Sequence, residues 1–183
     1  VGGKVSFYNE TSNGPIKPTP LIGVLGLIEN SPLLPTAPSN NDVILLVGET
    51  KDELGGSEYY EYIHNFIGGI APKVDFSESQ KNMKSVLSLI SKNLVKCAHD
   101  CSKGGLAIAI SELCVFGKLG CDVNLTSSLS SEKILFSESH SRYLLVVDKN
   151  NLAEIKSLLS EHDCTFSELG IFSGDQIIFK SNS

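Results

Sequence analysis

Residues 98–112 read Ala-His-Asp-Cys-Ser-Lys-Gly-Gly-Leu-Ala-Ile-Ala-Ile-Ser-Glu, and the fold turns on how this stretch is read. The residues leading into it, Leu94 to His99, alternate apolar and polar, the period of a strand with one buried face. Leu106 to Val115 reads as the helix that follows. Between them, Asp100-Cys101-Ser102-Lys103-Gly104-Gly105 is a strand-to-helix turn, where paired glycines allow a tight reversal.

Working outward, Val43 to Val47 is a short, continuously apolar run typical of a strand buried on both faces. Cys121 to Leu125, Lys133 to Ser137 and Tyr143 to Val147 read as three more strands. Thr165 to Phe172 and Gln176 to Phe179 read as a closing hairpin around Ser173-Gly174-Asp175. Helical spacing places Tyr59, Tyr62, Ile63 and Phe66 on one face of a helix over 58–66 with Ser57 as N-cap. A second helix over 77–93 carries Met83, Val86, Leu87, Leu89 and Ile90 behind a Ser77 cap, and a last one covers 151–161. Strands and helices interleave without βαβ regularity. The expected class is therefore α/β of the α+β type, a mixed sheet covered by helices, rather than a Rossmann fold or a barrel.

Upstream, Leu21 to Glu29 follows Pro18-Thr19-Pro20 and reads as a buried strand. The Pro- and Asn-rich stretch 31–42 is a linker, which puts a domain boundary near residue 30. The opening Val1-Gly-Gly-Lys-Val-Ser reads as a loop running into a strand, the expectation for a piece of a longer chain.

With 183 residues, 41% of them hydrophobic, the sequence can bury a substantial core. A net charge of −6 argues against nucleic acid and anionic membrane as partners and for small molecules. No apolar run reaches the roughly 18 residues of a membrane span, and no leader pattern opens the chain, so a cytoplasmic location is expected. The five cysteines, Cys97, Cys101, Cys114, Cys121 and Cys164, are odd in number and set among apolar residues, as suits reduced buried thiols. Cys97-x-His99-x-Cys101 lacks the second ligand pair that a zinc site requires.

Three segments carry polar chemistry. At the start of the third helix, Asp100-x-Ser102-x-Gly104-Gly105 offers free backbone N–H groups to a phosphate, with Asp100 placed to hold a divalent metal beside it. The same residues also suit capping and a tight turn, and spacing alone favours that structural use. Ser137-Glu138-Ser139-His140-Ser141-Arg142 sets an acid and a base between two expected strands. Glu138 and His140 share a face there, while Ser139 opposes them. Near the N-terminus, Gly3 admits a ligand close to the backbone, and Lys4 and Ser6 alternate onto one face, an arrangement suited to a phosphate-bearing ligand. His64 and His162 sit on expected helices among polar residues and suggest no role.

Read together, GGKVSFYNET (2–11), PTPLIGVLGLIE (18–29), LGGSEY (54–59), AHDCSKGGLAIAISE (98–112) and LFSESHSRYLLVV (135–147) resemble, in that order, the synthetase subunit of the formylglycinamidine ribonucleotide synthetase family. The HD-x-S-x-GG and SES motifs are shared with the wider superfamily of aminoimidazole ribonucleotide (AIR) synthetase and selenophosphate synthetase, whereas VSFYNET is peculiar to this ligase. The resemblance implies two fused, pseudo-symmetric halves. Residues 1–30 would end the barrel-forming N-terminal domain of the second half, and residues 31–183 would form its complete AIR synthase-like C-terminal domain.

It further implies a reaction in which ATP phosphorylates the amide oxygen of formylglycinamide ribonucleotide (FGAR). Ammonia from a glutaminase subunit or domain then displaces phosphate to give the amidine. ATP and Mg²⁺ are the implied cofactors. The implied partners are the remainder of the synthetase, the glutaminase and a small accessory subunit. In this family the opening segment supplies a Gly to ATP, an Asn to Mg²⁺ and a Ser to the substrate. The matching positions here are Gly3, Lys4 and Ser6, and Lys4 departs from the pattern because an ammonium cannot ligate a metal but can neutralise phosphate. Asp100, Ser102, Gly104, Gly105, Glu138, Ser139 and His140 match motifs whose second-half copies line a degenerate, structural site. The family's catalytic His lies in the other half, so this chain alone is expected to be inactive. Two alternatives stand beside this reading: a non-catalytic scaffold with a degenerate nucleotide site, and another member of the superfamily.

Overall fold

The run Val43-Ile44-Leu45-Leu46-Val47 lies wholly out of solvent, because both faces of the sheet it belongs to are covered. In the computed structural model, which describes residues 10–12, 14–16, 22–28, 34–35 and 37–181, the chain divides into two compact units, Val1–Asn30 and Ser31–Ser183.

In the first unit, β1 (Glu10–Thr11) pairs antiparallel with β2 (Gly14–Pro15). Residues 22–28 form no strand, and Ile22, Val24, Leu25 and Leu27 are all exposed. The buried strand expected over 21–29 is therefore not found. Its β-branched, Gly-containing composition suits pairing, but no partner strand lies beside its described residues.

The second unit is built on β3 (Val43–Val47), β4 (Val95–Asp100), β5 (Cys121–Leu125), β6 (Tyr143–Val147), β7 (Phe166–Phe172) and β8 (Ile177–Ser181). They form one six-stranded sheet in the order β4-β6-β3-β7-β5-β8. Every neighbouring pair is antiparallel except β5 with β8, which run parallel. The sheet is mixed, as expected. The closing hairpin is not formed: β7 and β8 fall on either side of β5, so the Ser173-Gly174-Asp175 turn carries the chain across an intervening strand. A local turn signal fixes a reversal but not which strand the chain pairs with next.

Strand alternation divides the core between two layers. Ile44, Leu46, Leu144 and Val146 pack on one face with α3 (Gly105–Gly117) and α4 (Ser131–Phe136). Val43, Leu45, Val47, Leu145 and Val147 pack on the other with α2 (Phe76–Ser91) and α5 (Leu152–Glu161). Each such side chain contributes roughly 1.5–3 kcal/mol on burial. Helices on both sides explain why β3 and β6 are apolar throughout instead of alternating.

Three local expectations are revised. Residues 133–137 are not a strand: Lys133 to Phe136 belong to α4, which packs on α3 and stacks Phe136 on Tyr59 with ring centroids 4.8 Å apart. Three apolar residues in a row, Ile134 to Phe136, do not by themselves distinguish strand from helix. Helix α2 begins one residue before the expected start, with Asp75 as its cap instead of Ser77. Its inner face holds Asn82, Ser85, Val86 and Leu89, while Met83 and Leu87 face outward. Asn82 Nδ2 donates to Ser141 O at 3.0 Å, and the Ser85 hydroxyl bonds Lys81 O, so two polar residues take positions that apolarity alone assigns to Met83 and Leu87. Helix α1 (Glu58–His64) starts at Ser57, whose hydroxyl accepts from Tyr60 N. It is shorter than the expected 58–66 and buries none of its residues fully.

Candidate functional site

Strand β4 runs into α3 through Cys101–Gly104, and Cys101 N donates to Arg142 O at 3.1 Å, extending the contact between β4 and β6. The two glycines then have distinct uses. Gly104 caps α3 at φ +76°, and Gly105, at φ +66°, lies so close to the end of α4 that a Cβ would sit 2.6 Å from Ser137 O. The pair lets residues 137–139 pack directly onto the start of α3.

Glu138 uses that proximity. Its Oε1 accepts from Gly104 N and from Glu58 N, both at 2.9 Å, so one carboxylate oxygen satisfies the first free N–H groups of α1 and α3 together. Lys103 Nζ pairs with Glu58 Oε1 at 2.8 Å across the same junction. The anion position expected for a phosphate is thus filled by the protein's own carboxylate.

The flanking serines are buried and tied to the segment after β3. Ser137 Oγ accepts from Glu53 N at 3.2 Å, Ser139 Oγ accepts from Lys51 N at 3.0 Å, and Glu138 N donates to Glu53 O. Arg142, only 1% exposed, holds this loop from beneath. Its Nε donates to Ser139 O at 2.9 Å, Nη2 to Ser137 O at 2.6 Å and Nη1 to Thr50 Oγ1 at 2.9 Å. Burial pulls its guanidinium below the usual value. The adjacent Cys101 thiol is pushed up to about 11 by burial, which outweighs the opposing pull of Arg142. A thiol so protonated is no nucleophile at neutral pH.

A cavity of about 280 Å³ opens on the outer side of this junction. It is lined by Asp100, Ser102, Lys103, Glu138, His140 and Ser141 among others, so four of the expected pseudo-site residues converge there: Asp100, Ser102, Glu138 and His140. Gly104, Gly105 and Ser139 do not line it; they are buried behind it. The Asp100 side chain is 70% exposed. Among the described residues no group of three or more His, Cys, Asp or Glu is arranged to hold a metal. The cavity residues do not fit Mg²⁺: Glu138 is committed to two N–H groups, and Asp100 stands without a second carboxylate. Gly3, Lys4 and Ser6 lie outside the described residues.

Sequence reasoning missed the partners of the SES loop, namely Thr50, Lys51, Glu53, Glu58 and Arg142. The one available signal was Arg142, a cation directly before the apolar run Tyr143–Val147, where an unpaired charge is costly and a bonded one holds its neighbours. All five cysteines are buried and free.

The fold and the sequence match together define the class. Residues 39–179 match the family of AIR synthase related proteins, C-terminal domain, and the chain belongs to that family. Along its whole length the chain is similar to the PurL subunit of phosphoribosylformylglycinamidine synthase. It is 39% identical over 190 residues to the subunit from Methanococcus aeolicus, covering 100% of this chain and 25% of that protein. To the subunit from Thermococcus sibiricus it is 42% identical over 187 residues, covering 98% and 25%. The chain thus spans about a quarter of the length of these curated relatives. Among solved structures, Thermotoga maritima PurL complexed with FGAR has a TM-score of 0.69 at 21% identity, over 78% of this chain and 25% of that one. The same protein complexed with ATP gives 0.63 at 20%, over 81% and 24%. These structural likenesses establish the fold.

Proposed function

We propose that this chain is the final part of the synthetase subunit of a phosphoribosylformylglycinamidine synthase. That enzyme is the ATP-dependent ligase that converts FGAR and glutamine-derived ammonia to the amidine, ADP and phosphate in purine biosynthesis. The observation that carries this reading is the identity of about 40% to PurL subunits across essentially the whole chain. In this proposal residues 1–30 end one domain and bring Gly3 to ATP, Ser6 to the substrate and Lys4 to phosphate oxygens. Mg²⁺ is held by residues outside the described part of this chain. The domain of residues 31–183 is support, with its α3 N-terminus closed by Glu138. The solved PurLQS assembly of Thermotoga maritima supports glutaminase and accessory subunits as partners. No helix of the described residues is long and apolar enough to cross a membrane, and a cytoplasmic location accords with the pathway.

The test is FGAR-dependent ADP release by the complete synthetase supplied with ammonia. Ser6→Ala should raise KM for FGAR, and Lys4→Ala should raise KM for ATP. Unchanged kinetics in both variants would leave the chain as a scaffold, the reading that the self-filled α3 terminus favours for residues 31–183.

A further inference from the structure

A second cavity, of about 260 Å³, shares no lining residue with the first, and its origin is a split in the sheet. The β5–β7 ladder runs from Cys121↔Phe172 only to Val123↔Gly170. Beyond that pair β5 stays with β8 as far as Leu125↔Ser181, while β7 stays with β3 as far as Val47↔Phe166. The two strands diverge, and residues 124–127 and 167–169 become opposite walls of a wedge. Paired strands lie about 4.8 Å apart, so a wedge opened between them is thin. Its walls present strand edges, and strand edges carry backbone donors and acceptors.

The wedge has a defined chemistry. Leu46, Leu106 and Ile134 give it an apolar floor, and Thr50, Thr126 and Ser127 bring hydroxyls. Among the described residues no Lys, Arg or His lines it, whereas Glu49 and Glu168 do. Glu168 is neutralised by Lys156 at 2.6 Å. Glu49 is exposed; Lys51 feels its charge through space but pairs with Glu78 at 2.9 Å. A phosphate or carboxylate would meet the Glu49 carboxylate and no cation in the described lining. A flat ring with N–H donors and a positive charge meets an apolar floor, acceptors on both walls and a carboxylate at the mouth. The volume falls just below the roughly 300–1,000 Å³ of sites for drug-sized ligands, which restricts the occupant to a small molecule.

We propose that the β5–β7 wedge binds a small planar organic cation, a ring carrying an amine- or amidine-type group that Glu49 recognises. The test is a protein-observed NMR titration of the full chain with three probes of one shape: benzamidine, its neutral counterpart benzamide, and benzoate. Benzamidine should shift the amides of Thr50, residues 124–127 and residues 167–169 saturably. Benzamide should bind more weakly, and benzoate should not bind. Glu49→Gln should weaken benzamidine about tenfold, the loss of one charge-assisted hydrogen bond. Thr126→Phe, at an exposed position on the rim, should block it. The proposal is overturned if benzoate matches benzamidine, if Glu49→Gln binds as well as the parent chain, or if the shifts fall around Asp100 and His140. Neither result bears on the ligase assignment, which rests on other residues.

Discussion

Helices α2 and α3 both begin with a carboxylate on a free backbone N–H, yet the carboxylates come from very different places. Asp75 Oδ1 accepts from Glu78 N at 2.9 Å, three residues along the chain. Glu138 Oε1 accepts from Gly104 N at the same distance from 34 residues away, and reaches α1 as well. The first cap forms with its helix. The second exists only once α4, the SES loop, β4 and α3 have assembled. A motif that looks ready for an anion can therefore be closed by the fold itself, and only the long-range cap reports whether that has happened.

The strongest way to break the long-range arrangement is to remove Arg142. Arg142→Met keeps bulk but leaves Ser137 O, Ser139 O and Thr50 Oγ1 without their donor in a buried setting, at a cost of about 3–5 kcal/mol. Urea unfolding should show a lower midpoint with little change in slope. Arg142→Lys should recover only part of the loss, because an ammonium lacks the planar fork that meets two carbonyls at once. A midpoint equal to that of the parent chain in Arg142→Met would show that the SES loop holds without it.

Next in size is Gly105→Ala. It adds a left-handed alanine, at φ +66°, to a contact of 2.6 Å with backbone, for about 2–3 kcal/mol. Gly104→Ala has a similar φ and presses on the inner atoms of the stiff, β-branched Ile108 side chain, so it should cost a comparable amount. A thermal melt of Gly105→Ala that matches the parent would mean that close approach of the SES loop is not what the second glycine provides.

This contrast also measures what was legible in the sequence. Periodicity located β3, β5 and β6 residue for residue and found α1, α2, α3 and α5, since those signals are local. Lys133 to Phe136 was misread as strand because its burial is set by α3 and Tyr59, both remote in sequence. The β7–β8 hairpin was misread because β5, about 45 residues earlier, inserts between its arms. At the site, Asp100, Ser102, Glu138 and His140 were found as motifs and do share one cavity. What sequence could not give was that Glu138 closes the helix terminus it sits beside, because nothing in residues 137–142 says which N–H groups they will meet. The β5–β7 wedge left no sequence signal at all, being a gap between ladders.

Glu138→Gln tests the shared cap more gently. The amide oxygen still accepts, but charge assistance and the favourable interaction with two helix dipoles are lost, for about 1–2 kcal/mol. Because α1 and α3 draw on the same oxygen, hydrogen exchange should quicken at both Glu58 and Gly104. Faster exchange at one alone would mean that the two caps are independent.

The local cap should give the smallest effect and a distinctive pH signature. The hydrogen bond from Glu78 N holds the Asp75 carboxyl below its ordinary value of 3.8. The folded state therefore favours the ionised form: the stabilisation is complete above about pH 4 and is lost as pH falls through the lower folded value. Asn is as good an N-cap as Asp, so Asp75→Asn should leave stability at pH 7 almost unchanged while removing this share of the acid-induced loss. Chemical denaturation of both chains from pH 7 to pH 2 should give curves that lie close together at neutral pH and separate below pH 4, the parent chain losing more stability than Asp75→Asn. Parallel curves throughout would show that the Asp75 carboxylate gains nothing from Glu78 N, and the contrast between a cap written locally and one assembled by the fold would then lose its local half.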